Sequence, residues 1–341
     1  MRPAATVVLG WMLVACGGGD RTPTSPTPST TATGSNPAPA PPSASAAGCA
    51  RTSVGFTPLV DLRATYKGQP GGLYPGGSNT PPSGHLAAGL SAAVVAPLDS
   101  SGNASANGRY VFMSIGMSNT TQEFSTFKPL ADGDAAKNPR LTIVDGAQGG
   151  VTASQWASPA CPCWTTADQR LAQAGVSANQ VAAAWIKLAN ANPTQPFPIH
   201  SDALRDDIIA TVRNAKARYR NLRVAYLSSR IYAGYATSTL NPEPYAYESG
   251  FAVRDVIASQ LNGDGALNFD PARGPVVAPW LAWGPYLWAD GLQPRSDGLT
   301  WACSDFQADG THPGGAGQQK VAQMLLSFVK SDPTARVWFT R

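Results

Sequence analysis

The chain is poor in charge and poor in histidine. Only 13% of its 341 residues are Asp, Glu, Lys or Arg, and histidine occurs three times. The formal charge of +4 comes with no dense Lys/Arg stripe, which argues against a nucleic-acid partner. Past the N-terminus, no apolar run reaches the length that spans a bilayer. Cysteine occurs five times and never in C-x-x-C spacing, so a structural zinc site has little support and no metal is expected. What the chain does have is 43% hydrophobic residues, enough for a core, with 34 glycines and 30 prolines. Many of those prolines crowd the first fifty positions.

The first residues read as an export signal. Arg2 supplies a basic start, Ala4 to Leu13 a short apolar core, and Leu13-Val14-Ala15-Cys16 a small-residue cleavage site. That last stretch resembles a lipobox, which implies cleavage after residue 15 and lipid attachment at Cys16. Lipid chains anchor a protein to a membrane without spanning it. Gly17 carries no retention aspartate, so the expected destination is the cell envelope, at the outer membrane. Residues 16–47 carry Gly, Ser, Thr, Ala and Pro with almost no large apolar side chains. Such a segment buries too little surface to offset its ordering entropy, and it reads as a tether.

Residues 48–341 form the expected domain. Tyr110 to Ile115, Leu141 to Val144, Val181 to Leu188 and Arg223 to Leu227 are short apolar runs of strand character, each closed by a turn residue or by a polar stretch. Between the third and fourth, Leu204, Ile208, Val212, Ala215, Tyr219 and Leu222 recur at helical spacing. A last helix follows Pro313, with Val321, Met324, Leu325, Phe328 and Val329 on one face. Alternating strands and helices predict an α/β fold, a three-layer α/β/α sandwich around a mostly parallel sheet. Ligands in such sheets sit beyond the carboxyl ends of the strands. Setting Cys16 aside leaves Cys49, Cys161, Cys163 and Cys303, an even set suited to disulfides. Cys161 and Cys163 stand close together, so each is expected to pair elsewhere.

With three histidines the search for chemistry is short. His85 lies in a Pro/Gly/Ser loop, and His200 precedes a helix, where a solvent-facing or capping place is expected. His312 stands three residues after Asp309, with Gly310 between them and Pro313 following. That spacing lets a carboxylate reach the imidazole, fix its tautomer and stabilise the imidazolium. Asp309 also reads as a cap for the last helix, and the two roles are compatible. Ser118 follows the first strand in Gly116-Met117-Ser118-Asn119. A strand-to-helix turn there exposes the hydroxyl and offers a backbone N–H to an oxyanion.

In chain order come a serine turn, a glycine turn, an asparagine turn and Asp-x-x-His. This order resembles the SGNH hydrolase superfamily, the GDSL-type esterases and lipases. Ile115-Gly116-Met117-Ser118-Asn119 stands for the serine block and Gly146-Ala147-Gln148-Gly149 for the glycine block. Leu188-Ala189-Asn190-Ala191-Asn192 stands for the asparagine block and Asp309-Gly310-Thr311-His312-Pro313 for the last. Met117 replaces the family's usual aspartate, and the asparagine block lacks its usual glycine and aspartate. The resemblance implies a Ser118–His312–Asp309 triad. It also implies an oxyanion hole from the Ser118 and Gly149 N–H groups and a side-chain amide, that of Asn190 with Asn192 the alternative. No cofactor is implied.

The implied activity is hydrolysis of carboxylic esters, with O-acyl groups on carbohydrate as the favoured substrate. Trp280, Trp283, Tyr286, Trp288 and Trp301 cluster ahead of the histidine block. Trp283, Trp288 and Tyr247, with Tyr245 and Glu248, are the candidate substrate-binding residues, against the alternative of plain packing. The rival function is a non-catalytic glycan-binding or structural envelope lipoprotein on the same fold.

Overall fold

The computed structural model describes residues 48–341. The expected export signal, the expected lipidation site Cys16 and the expected tether lie outside the described residues. A small antiparallel ladder, β1 (Thr65–Tyr66) and β2 (Gln69–Pro70), comes first, followed by helix α1 (Ser83–Ala92).

The centre is a five-stranded sheet, and every pairing in it is parallel. Its strands are β3 (Tyr110–Gly116), β4 (Leu141–Asp145), β5 (Val181–Lys187), β6 (Val224–Ser228) and β7 (Trp280–Trp283). The spatial order is β4-β3-β5-β6-β7. The expected α/β sandwich is therefore present, in the flavodoxin-like order. Strands β3, β5, β6 and β7 are buried along their whole length, as a sheet covered on both faces requires.

Helices connect the strands: α2 (Ser118–Asp132), α3 (Ala153–Trp156), α4 (Pro162–Gln173), α5 (Ile199–Arg218) and α6 (Tyr245–Leu261). Two more close the chain, α7 (Gly315–Ser331) and α8 (Pro333–Phe339). Helix α2 packs on α7, and α5 packs on α6. From β3 the chain crosses outward to β4 and then back past β3 to β5. With right-handed crossovers, that reversal puts α2 on one face and α4 on the other. It also opens a crevice at the carboxyl ends of β3 and β5.

Register sets what meets there. Gly116 pairs with Lys187, and Lys187 with Ser228. These three residues form one row at the carboxyl edge of the sheet. Ser118, Asn190 and Arg230 stand two or three residues beyond that row, past the ends of adjacent strands roughly 4.8 Å apart.

Three of the sequence expectations are corrected by the fold itself. The segment Trp280–Trp283 is the fifth strand and not a substrate platform. Its four apolar residues are too few for periodicity to tell a strand from an aromatic cluster. Cys161 and Cys163 do not reach elsewhere: they pair with each other, and Cys49 pairs with Cys303. Cys161 is extended at the N-terminus of α4 and Pro162 starts the helix, which leaves the two Cα atoms 5.2 Å apart. That lies within the span a disulfide bridges. Finally, His85 sits in α1 and not in a loop. It is buried, stacked on the Trp280 ring, with Nε2 2.8 Å from the Leu281 carbonyl.

Candidate active site

Ser118 is the first residue of α2, directly after β3. Met117 is extended (φ −103°, ψ −164°), so the chain turns from strand to helix over one residue. Gly116 has no room for a side chain. A Cβ there would lie 2.3 Å from Thr120 Oγ1 and 2.4 Å from the Lys187 carbonyl. The first N–H groups of a helix have no intrahelical acceptor, and they carry the positive end of its dipole. Ser118 thus stands where a developing negative charge is favoured.

The histidine loop comes from the other end of the chain. His312 Nε2 lies 2.8 Å from Ser118 Oγ, and His312 Nδ1 lies 2.5 Å from Asp309 Oδ2. With the Nδ1 proton donated to Asp309, Nε2 is left as the acceptor for the serine hydroxyl. Asp309 Oδ1 accepts from the backbone N–H of both Thr311 and His312, each at 3.0 Å. Gly310 makes this turn possible. Its φ is +62°, and a Cβ would fall 1.9 Å from the Tyr235 carbonyl. Asn119 Nδ2 holds the Thr311 carbonyl at 3.0 Å, tying the loop back to the serine turn.

Burial alone would raise the Asp309 carboxyl. The hydrogen bonds from the His312 ring and from the His312 and Thr311 N–H groups outweigh it, and hold the group down at about 2. Asp309 is therefore an anion at any ordinary assay pH. A depressed carboxyl contributes stability that is complete above its unfolded value, about 4. That contribution fades as pH falls through about 2.

The glycine turn follows β4. Gln148 donates its N–H to the Gly116 carbonyl at 2.9 Å and its side-chain amide to the Cys163 carbonyl at 2.8 Å. Arg170 caps the Asp145 and Ala147 carbonyls. These bonds set Gly149 beside the serine, where a Cβ on Gly149 would stand 4.0 Å from Ser118 Cβ. The asparagine turn follows β5. Asn190 Oδ1 accepts from the Ser154 N–H at 3.0 Å, and Nδ2 donates to Asp207 Oδ2 at 2.6 Å. A side-chain amide has two N–H bonds, so one remains after Asp207 takes its share. Asn190 lines the same cavity as Ser118 and His312. Asn192 does not: it lines the neighbouring pocket, and its Oδ1 accepts from Thr239.

That shared cavity holds about 250 Å³. Ser118, Asn119, Thr152, Asn190, Arg230 and His312 are among its lining residues. The expected aromatic binding residues are not. Trp283 is buried and donates Nε1 to the Leu73 carbonyl, Trp288 donates Nε1 to Glu243, and the Tyr247 hydroxyl donates to Thr57 O. Each ring is core, and each polar tip is satisfied internally, as buried Trp and Tyr require. Glu248 is buried against Tyr66, Lys67 and His200. His200 lies within α5 with its side chain 8% exposed, so it is neither solvent-facing nor a cap.

Arg230, Asn241 and Asn119 escaped the sequence reading. Arg230 and Asn241 lie in the segment that follows β6, and Arg230 stands two residues past the strand end. The rule that ligands collect beyond strand ends reaches Arg230 once the strand is placed. Asn241 holds the Asn190 carbonyl at 3.0 Å. Among the described residues no cluster of His, Cys, Asp and Glu has the make-up of a metal site.

No protein-family model and no curated protein matches the chain. Distant solved structures do. A Bacteroides fragilis protein assigned as an acylhydrolase is 14% identical, over 72% of this chain and 94% of its own, with a TM-score of 0.38. The periplasmic domain of a lipopolysaccharide acetyltransferase from Salmonella serovar Paratyphi A is 11% identical, over 65% and 84%, with a TM-score of 0.36. A gut microbial diltiazem-metabolizing enzyme is 12% identical, over 72% and 49%, with a TM-score of 0.37. Likeness this distant transfers no activity to the present chain, and the chemistry is read from the site's own geometry.

Proposed function

We propose that the protein is a serine hydrolase of carboxylic esters. One observation carries this reading: Ser118 Oγ, the His312 ring and Asp309 form one hydrogen-bonded line, at 2.8 and 2.5 Å, with Ser118 and His312 on the wall of an open cavity. His312 Nε2 takes the Ser118 proton as Oγ bonds to the ester carbonyl carbon. The resulting oxyanion meets the Ser118 and Gly149 N–H groups and the spare N–H of Asn190. The carbon–alkoxy bond then breaks, and His312 returns the proton to the departing alcohol. Water adds to the acyl-enzyme by the same route, with His312 as base, releasing the carboxylic acid and free Ser118. Every step uses protons and bonds of the ester, water and this chain.

The cavity volume favours a short acyl group, and O-acetyl carbohydrate is the proposed finer substrate class. Export and a lipid anchor at Cys16 would place the enzyme in the cell envelope, beside acylated glycans. A glycan-binding role through exposed tryptophans loses its basis, because Trp283 and Trp288 are core.

The reading is tested with a fluorophosphonate probe and a short-chain aryl ester. The probe is expected to label the wild-type protein at Ser118 and to leave Ser118→Ala unlabelled. An unlabelled wild type with no esterase activity would refute the proposal. Asn190→Ala is expected to lower kcat on the order of 10²-fold with a smaller change in KM, the signature of a lost oxyanion donor. Equal kcat values for variant and wild type would remove Asn190 from that role. Acetylated sugars, assayed against aryl esters of rising chain length, locate the preferred acyl group and alcohol.

A further inference from the structure

Among the described residues that line the Ser118 cavity, Arg230 is the one Lys or Arg. It is 2% exposed, yet its Nε and Nη2 have no hydrogen-bond partner among the described residues. A buried guanidinium ordinarily has its donors met, because an unmet one carries its full desolvation cost. Carboxylates stand near it, but each is taken. Glu123 accepts Lys187 Nζ on both oxygens at 2.5 Å. Glu243 accepts from the Ala233 and Tyr247 N–H groups and from Trp288 Nε1. Asp309 accepts from Thr311 and from the backbone and ring of His312. Burial draws the guanidinium below its ordinary value, and the charges of these three carboxylates offset part of that shift, but none of them bonds it.

Nε and Nη2 form one edge of the guanidinium, the edge that meets a carboxylate with two parallel hydrogen bonds. We propose that Arg230 is an anion-recognition residue, and that the natural substrate is an ester carrying a carboxylate elsewhere in the molecule. This rests on the esterase reading and names its substrate class. One cation on the wall matches a carboxylate monoanion better than a phosphate dianion. Asn119 and Asn241 line the same cavity, and each has a buried Oδ1 with no donor among the described residues. Those two acceptors suit hydroxyl groups on the same ligand. An acetylated sugar acid has all three features: a short acyl ester, a carboxylate and free hydroxyls.

Matched probes separate charge from shape. 3- and 4-acetoxybenzoate share the acyl group of 3- and 4-acetoxybenzamide and differ in the charge of one substituent. For at least one isomer, the wild-type protein is expected to prefer the carboxylate by about tenfold or more in kcat/KM. In Arg230→Gln that ratio is expected to fall towards one. In Arg230→Lys, which keeps the charge and loses the fork, it should be partly retained. Binding of benzoate against benzamide to wild type and Ser118→Ala, measured by calorimetry, reads the same preference without catalysis. It does not depend on any Arg230 variant folding.

Two results would overturn the assignment. One is no preference for the anion in either assay by a wild type that the fluorophosphonate labels; the hydrolase reading then stands and the Arg230 role falls. Another is Arg230→Gln lowering both esters alike together with its melting temperature, which makes Arg230 structural. An unlabelled, inactive wild type that still prefers benzoate sinks the hydrolase and keeps the anion site.

Discussion

Ser118→Ala and His312→Ala are each expected to lower kcat for an aryl ester on the order of 10⁵-fold, and the double variant by little more than either alone. The reason is geometric. Ser118 Oγ and His312 Nε2 share one hydrogen bond at 2.8 Å, and the proton that leaves one is the proton the other accepts. Without the imidazole the hydroxyl is a poor nucleophile; without the hydroxyl the imidazole has nothing to activate. Groups that act as one unit lose their effect once, so their free energies do not add. Two independent contributions would instead multiply, and a double variant far below both singles would show that Ser118 and His312 do not work together. Residual catalysis in the variants should persist above the buffer rate, since the proposed oxyanion donors, the N–H groups of Ser118 and Gly149 and the Asn190 amide, remain in these variants. Asp309→Asn belongs to the same series. The amide cannot accept the Nδ1 proton as a carboxylate does, and the His312 ring loses its preferred tautomer. Because the Asp309 carboxyl is held at about 2, loss of wild-type activity between pH 4 and 6 would not come from its protonation.

The parts of this site that sequence exposes are those held by short-range geometry. Asp309 reaches His312 across three residues, so a four-residue pattern contains the whole contact. Ser118 and Asn190 each follow a strand whose apolar run is unambiguous, and their nearness follows from parallel neighbours in register. The flavodoxin-like order follows less directly, because the fifth strand, Trp280–Trp283, is four residues of tryptophan, leucine and alanine. Such a run looks like any other apolar patch until β6 pairs with it. Trp283 and Trp288 misled for the same reason: a tryptophan in a stacking platform and one whose Nε1 finds a buried carbonyl or carboxylate are the same letter. Arg230 was hidden because its significance lies in what fails to bond it, which no pattern of residues expresses. His200 and Glu248 meet across 48 residues, and Cys49 finds Cys303 across 254. Contacts at such separations are set by the fold, not by local spacing.

Beneath the serine helix lies an ion pair with the second large expected effect, this time on stability. Glu123 sits one helical turn and a half after Ser118 on α2, and Lys187 ends β5; both side chains are 0% exposed. Lys187 Nζ contacts both carboxylate oxygens at 2.5 Å. Burial pushes the Glu123 carboxyl up and the Lys187 ammonium down, the latter to about 8 even with its partner in place. Lys187→Met is therefore expected to cost about 3–5 kcal/mol near neutral pH, since it leaves a carboxylate in the interior with no counter-charge bonded to it. The variant should also acquire a pH dependence of definite sign. Glu123 would have a folded pKa above its unfolded value, so folding is least impaired below about pH 4, where both states are protonated. Stability is then lost as pH rises through the raised folded value. Removing both charges, as Glu123→Leu with Lys187→Met, should recover most of the loss, because two apolar side chains leave nothing to desolvate. Denaturant unfolding at pH 5 and pH 8 decides the matter. If Lys187→Met matches the wild type at pH 8, or weakens as pH falls, then burial of this pair does not govern the stability of the helix that presents Ser118.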